Sequence, residues 1–241
     1  MAMRLFLRRV VFFIGYLLHR NHDSKVIYYH DVSKKYTDMG TEYGLMCKHI
    51  DTVRKSGYQI VPEITSHFNQ VMFCFDDGWA GIYEYKEELI KQGIYPTIFI
   101  AVDLIGKEGY LNETQIKELR TFGFRFQAHT WSHQDLTTFD EKGLEHELKD
   151  SKEQLEEMFG HPFNSICFPM GRFSNKVKEK SMESGYVKLF TSLPGAYYDL
   201  DKVNLVCRNC AQNSSPNEFK WMLNGTSMIF RRKLIKQHYQ K

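Results

Sequence analysis

Four times along the chain the same punctuation recurs: an amphipathic stretch, a glycine, an aromatic or aliphatic residue, then a β-forming run. It reads Lys55-Ser56-Gly57-Tyr58 before Gln59-Ile60-Val61, and Lys91-Gln92-Gly93-Ile94 before Thr97-Ile98-Phe99-Ile100. It returns as Thr121-Phe122-Gly123-Phe124 before Arg125-Phe126-Gln127, and as Glu183-Ser184-Gly185-Tyr186 before Val187-Lys188-Leu189-Phe190. Each glycine stands where a helix end needs a left-handed residue. Helix-to-strand alternation of this kind means βα units and a mainly parallel sheet, hence an α/β fold. The strands expected are Val26–Tyr29, Gln59–Val61, Val71–Phe75, Thr97–Val102, Arg125–Ala128, Ser165–Phe168 and Val187–Thr191. The helices expected between them are Leu45–Ser56, Gly81–Gln92, Glu113–Phe122, Glu141–Phe159 and Asn175–Ser184, the last with Ser174 as its N-cap. About seven strands with intervening helices suggest a barrel of TIM type, complete or not, with its chemistry at the C-terminal ends of the strands. A length of 241 residues suits one such domain, set at residues 23–241, and is marginal for two.

The polar residues fall on those strand ends. His30 and Asp31 follow the first strand, Asp76 and Asp77 follow Val71–Phe75, His129 and His133 follow Arg125–Ala128, and Pro169-Met170-Gly171 follows Ser165–Phe168. An adjacent carboxylate pair at a strand end can divide its labour, one ligating a metal and the other remaining free as a base. Asp-Asp-Gly is also good turn chemistry by itself. Two histidines four apart share a face if the segment turns helically, and can bind one metal. Two imidazoles and a carboxylate make a tridentate site with positions left open for water and substrate.

Phe75-Asp76-Asp77-Gly78 and His129-Thr130-Trp131-Ser132-His133 resemble the first two motifs of the polysaccharide deacetylases, carbohydrate esterase family 4 (the NodB homology domain), and the similarity runs from about Val26 to Asn209. The resemblance implies a distorted (β/α) barrel, a divalent metal that is usually zinc, and hydrolysis of an N-acetyl amide on an aminosugar. It implies Asp76 as general base, Asp77, His129 and His133 as metal ligands, and the backbone N–H of Met170 as oxyanion donor. Three departures stand out. The family's third motif commonly carries an arginine where this chain has Cys167, and a tyrosine where it has Met170. The late Leu-x-His motif, whose histidine protonates the leaving amine, has no clear match between residues 186 and 237. Tyr28-Tyr29-His30-Asp31 fits a variant with an early acid histidine, which makes His30 the candidate general acid. Arg208, or alternatively Arg172, is the candidate charge partner of Asp76. A catalytically inactive carbohydrate-binding module on the same fold, or an amidohydrolase of a non-sugar amide, are the rival readings.

A net charge of only +3 gives no support to a nucleic-acid partner. Five cysteines without framework spacing argue against a disulfide scaffold, and the lone Cys207-x-x-Cys210 is weak evidence for zinc. Residues 1–22 read as a basic, apolar helix. Val10–Leu18 is too short to span a bilayer, which needs roughly 20 apolar residues, and no small-residue cleavage site follows it. Arg4, Arg8, Arg9 and Arg20 flank that run, so peripheral contact of residues 1–20 with the inner membrane is expected for a cytoplasmic protein; packing on the domain and a secreted or periplasmic location remain alternatives. The basic run Arg231-Arg232-Lys233 with Lys236 sits on a further expected helix.

Overall fold

The computed structural model describes residues 21–226, 228 and 231–240. The expected N-terminal helix and its membrane contact therefore lie, but for Asn21 and His22, outside the described residues. None of the described helices is long and apolar enough to cross a membrane.

Among the described residues the main sheet is wholly parallel and has nine strands. Its path runs Leu205–Val206, Lys188–Phe190, Ser165–Cys167, Arg125–Ala128, Thr97–Ile100, Gln70–Phe75, Lys25–Tyr29, Arg208–Cys210. The two ends of that path are halves of one extended segment, separated only by Cys207. Its first half pairs with Leu189–Phe190 and its second with Val26–Tyr28. The sheet must curl until both edges meet on this segment, which makes a barrel of seven staves. One of the expected strands is corrected by this, and one that was not expected is added. Gln59–Ile60 is a two-residue strand pairing beside Gln70–Val71, off the barrel path. The seventh stave is Leu205–Cys210, which Arg208 and Asn209 disguise as a polar loop. Other strand ends move by a residue or two; Thr97–Ile100 gives way to a 3₁₀ turn at Val102–Leu104.

The glycine punctuation has a definite physical form. At Gly57, Gly93, Gly123 and Gly185 φ lies between 67° and 96°. At each one the following residue donates its N–H back five residues and the glycine donates back three, as in Tyr58 to Val53 and Gly57 to Arg54. This is the Schellman closure of a helix, and the residue after the glycine (Tyr58, Ile94, Phe124 or Tyr186) is buried, so that each stop signal also anchors the chain to the core.

Helices cover the outside. Tyr43–Lys55 buries Met46, His49, Ile50 and Val53, a 3–4 spacing that lays one stripe on the sheet. Glu113–Thr121 opens with a capping box in which Asn112 accepts from the Gln115 N–H and the Gln115 side chain accepts from the Asn112 N–H. Ser174 accepts from Val177 N–H and caps Asn175–Glu183, as expected. The expected helix Gly81–Gln92 is broken at Tyr85 into Gly81–Glu84 and Lys86–Lys91. The expected Glu141–Phe159 contains a π-helical stretch, His146–Asp150, between Glu141–Glu145 and Ser151–Phe159.

Strand alternation divides the core in two. Ile27, Tyr29, Val71, Phe73, Phe75, Ile98, Ile100, Leu189 and Leu205 face the helices. Val26, Tyr28, Met72, Cys74, Phe99, Cys167, Phe190 and Val206 form a separate cluster inside the barrel. Followed two residues at a time toward the strand C-termini, that inner face leads from Met72 and Cys74 to Asp76, and from Val206 to Arg208.

Candidate metal centre

Asp76 is aimed into the barrel by strand phase alone; Asp77, one residue later, is out of phase. Its left-handed backbone (φ 67°), followed by Gly78 at φ 76°, turns its carboxylate to the same mouth. Both carboxylates are buried. Asp77 Oδ1 lies 3.2 Å from His129 Nε2 and 3.0 Å from His133 Nε2. Its other oxygen, Oδ2, accepts from Trp79 Nε1 at 3.1 Å. The helical i,i+4 arrangement expected for the histidines is not what brings them together. His129 directly follows the strand Arg125–Ala128, and His133 is returned by a tight loop in which Thr130 and His133 both take positive φ, 71° and 59°. The rings meet edge to face, with centroids 4.7 Å apart.

The donor set fits a divalent cation. His129 Nδ1 is 2.7 Å from the Cys167 carbonyl oxygen, which can only accept, so Nδ1 carries the proton. In the neutral ring Nε2 is then a bare lone pair, and it faces a carboxylate oxygen. Asp77 Oδ1 is buried, and among the described residues no hydrogen-bond donor is aligned on it. Two donor atoms, each about 2.0–2.1 Å from zinc, sit about 3 to 3.4 Å apart at ordinary coordination angles, which brackets both separations. An extra proton could relieve one imidazole contact; a single cation relieves both. Burial pushes the Asp77 carboxyl up, but the two imidazoles outweigh it and hold it well below the usual range. Burial lowers His133, and Asp77 reverses that to a net rise.

Asp76 stands beside this trio, with a carboxylate oxygen within 4.8 Å of ring and thiol atoms of His129 and Cys167. It is clamped by Arg208, whose Nη1 and Nη2 donate to Oδ1 at 2.6 Å and Oδ2 at 2.8 Å. Arg208 is itself buried: Nε donates to the Thr191 carbonyl at 2.9 Å, and the guanidinium lies 4.2 Å over the Tyr28 ring. It also donates to Cys167 Sγ at 2.9 Å, the thiol standing where the family commonly has arginine. Arg172, the alternative partner, is half-exposed and pairs with Asp135 at 2.6 Å instead.

Met170 sits in the turn Pro169–Gly171 at φ 55°, with no acceptor for its N–H among the described residues. The turn has no room for a larger neighbour, because a Cβ on Gly171 would come within 2.6 Å of Ser192 Cβ. His30 lies at the same end of the barrel, its ring edge-on to Tyr28 with centroids 6.0 Å apart and its Nδ1 bonded to Gln212 Oε1. The structure therefore brings Asp77, His129, His133, Asp76 and Arg208 together, and sets His30 against the edge of Tyr28, the ring that Arg208 covers. Trp79, which bonds Asp77, and Glu147, which bonds the loop leading to His133, were not legible in the sequence. Phe168 is buried in the core on Phe173, and Trp131 is packed against His146 and donates Nε1 to Asp103. Cys207 and Cys210 are free thiols on the closing stave, with no part in the ligand set.

The polysaccharide deacetylase family model matches residues 63–189 of this chain. YxkH of Bacillus subtilis (strain 168), a candidate polysaccharide deacetylase, is 31% identical over 127 residues, which is 52% of this chain and 46% of YxkH. The chain spans about half the length of the curated relatives it matches. BC0361, a polysaccharide deacetylase from Bacillus cereus, superposes with a TM-score of 0.73 at 23% identity, over 84% of this chain and 69% of that one. The Streptococcus pyogenes deacetylase PplD, solved in complex with acetate, gives 0.74 at 20% identity, over 84% and 99%. At such identities these structures speak for a shared fold, and they share the barrel expected of this sequence. The family match takes in both acid–histidine motifs and more than half of the sequence, and on that footing the chain belongs to the polysaccharide deacetylases.

Proposed function

We propose that this protein is a metal-dependent hydrolase, with zinc the expected ion, that removes N-acetyl groups from an aminosugar of a surface polysaccharide or its lipid-linked precursor. The observation that carries the proposal is the convergence of Asp77 Oδ1 with two imidazole nitrogens at 3.0 and 3.2 Å, beside a second carboxylate left free of that trio. A divalent ion held by Asp77, His129 and His133 would polarise an acyl carbonyl and make water acidic enough to attack at neutral pH. Asp76 would take the proton of that water. Arg208 fixes the plane of the Asp76 carboxylate and balances its charge. The Met170 N–H would donate to the acyl oxygen as it gains negative charge. His30 would protonate the departing nitrogen. Gln212 occupies its Nδ1 and is itself oriented by donating to the Asp38 carbonyl, which leaves Nε2 for proton transfer.

The direct test is acetate release from N-acetylglucosamine oligomers by protein stripped with a chelator and then restored with zinc. Release that depends on the metal is expected. A protein that binds no divalent ion, or that releases acetate equally well without one, would end this reading. His30→Gln is expected to lower turnover about 100-fold while zinc affinity stays unchanged. An unaltered rate would assign the proton to another group.

A further inference from the structure

We infer that Glu147, projected from the π-helical stretch His146–Asp150, is a positioning residue that holds the His133 loop in its metal-binding shape. The inference rests on the metal-centre reading above and concerns how that centre is kept rigid.

The loop from Thr130 to His133 needs external support. Thr130 and His133 both adopt a left-handed backbone without being glycine, and among the described residues His133 N–H donates only to Thr130 Oγ1, at 3.2 Å. Such a turn persists where surrounding groups over-determine it. Among the described residues, one side chain accepts from both of its middle amides. Glu147 Oε2 accepts from the N–H of Trp131 at 3.1 Å and of Ser132 at 3.0 Å, and Oε1 accepts from Ser132 Oγ at 2.5 Å. Glu147 is only 2% exposed, so little water can replace those bonds. Two successive amides and a hydroxyl converging on one carboxylate fix where the next residue, His133, must begin.

The π-helical stretch that carries Glu147 is itself braced by side chains. A π turn disturbs the helical ladder and leaves carbonyls in need of donors. Here Ser151 Oγ donates to the Glu147 carbonyl at 2.6 Å, and the buried Tyr186 hydroxyl donates to the Leu148 carbonyl at 3.0 Å. From the same stretch His146 packs its ring on Trp131, with centroids 4.4 Å apart. The opposite side of the loop is gripped by Val102 N–H to the Thr130 carbonyl and Asp103 N–H to the Trp131 carbonyl. Glu147 supplies the only carboxylate bonded to the loop amides among the described residues.

The test is zinc titration of the metal-stripped full chain by calorimetry, with thermal melts of the same stripped samples. Glu147→Gln keeps the shape but turns an N–H₂ group toward donors. It is expected to weaken zinc binding roughly 10- to 100-fold, the usual cost of losing a group that orients a ligand. Ser132→Ala removes only the hydroxyl bond, and a loss of about threefold is expected. Zinc affinity unchanged in Glu147→Gln, with or without a lowered melting temperature, would overturn the inference and leave the metal reading intact. If Glu147→Gln does not fold, Ser132→Ala decides alone, and an unchanged affinity there overturns it. Failure of the wild-type chain to bind zinc would instead strike at the metal reading itself.

Discussion

Asp76→Asn should bind zinc as the wild type does and yet lose about 10³- to 10⁴-fold in acetate release. The reason is the division of labour between two adjacent carboxylates. Asp77 makes the imidazole contacts, while Asp76 points along the inner barrel face and is bonded to Arg208. An asparagine amide keeps the size and one acceptor oxygen, so the ligand trio is undisturbed, but it cannot take a proton from water. His129→Ala is the contrasting variant. It deletes a proposed ligand whose ring orientation is set by the Cys167 carbonyl, and both zinc binding and acetate release should disappear together. Calorimetric zinc titration and an acetate assay on the same preparations separate the two patterns. If Asp76→Asn retains full turnover, Asp76 is not the base; if His129→Ala retains zinc, the trio is not the ligand set.

What the sequence revealed and what it hid follow a physical pattern. Glycine stops read well because a Schellman closure is local: the left-handed residue and the buried residue after it are neighbours in the chain. The acid and histidine motifs read well because strand ends place side chains at one mouth, whatever the details of each loop. The seventh stave did not read. Leu205–Cys210 buries Arg208 and Asn209, and a buried arginine is tolerable only beside a partner from a distant strand, which no local pattern can announce. Glu147 was hidden likewise, since a glutamate on a helix is an ordinary surface residue until a π turn carries it inward. The helical reading of His129 and His133 failed because a spacing of four is also what a left-handed loop provides when two non-glycine residues accept strain. Those strained residues are informative in turn. Seven described non-glycine residues have positive φ; three are asparagines, which tolerate it, and the other four are Asp77, Thr130, His133 and Met170, all at the centre.

Arg208→Met should unfold more easily by about 3 to 5 kcal/mol, equivalent to roughly 10 °C in melting temperature, and should lose most of its activity. Methionine fills much of the space but leaves Asp76 buried without its two bonds, and the closing stave without the Nε bond to Thr191. The site of the damage matters because Arg208 sits on the one segment that both edges of the sheet share; losing its anchor loosens the barrel where it closes. The pair can be told apart from the packing by a cycle. With Asp76→Asn already present, no unpaired carboxylate remains, so adding Arg208→Met should cost about 1 to 2 kcal/mol instead, a coupling of several kcal/mol between neighbours. Denaturant melts of the wild type, both single variants and the double variant measure that difference. Additive effects would mean that the guanidinium is held for its packing over Tyr28 and Phe99, and that Asp76 does not depend on it.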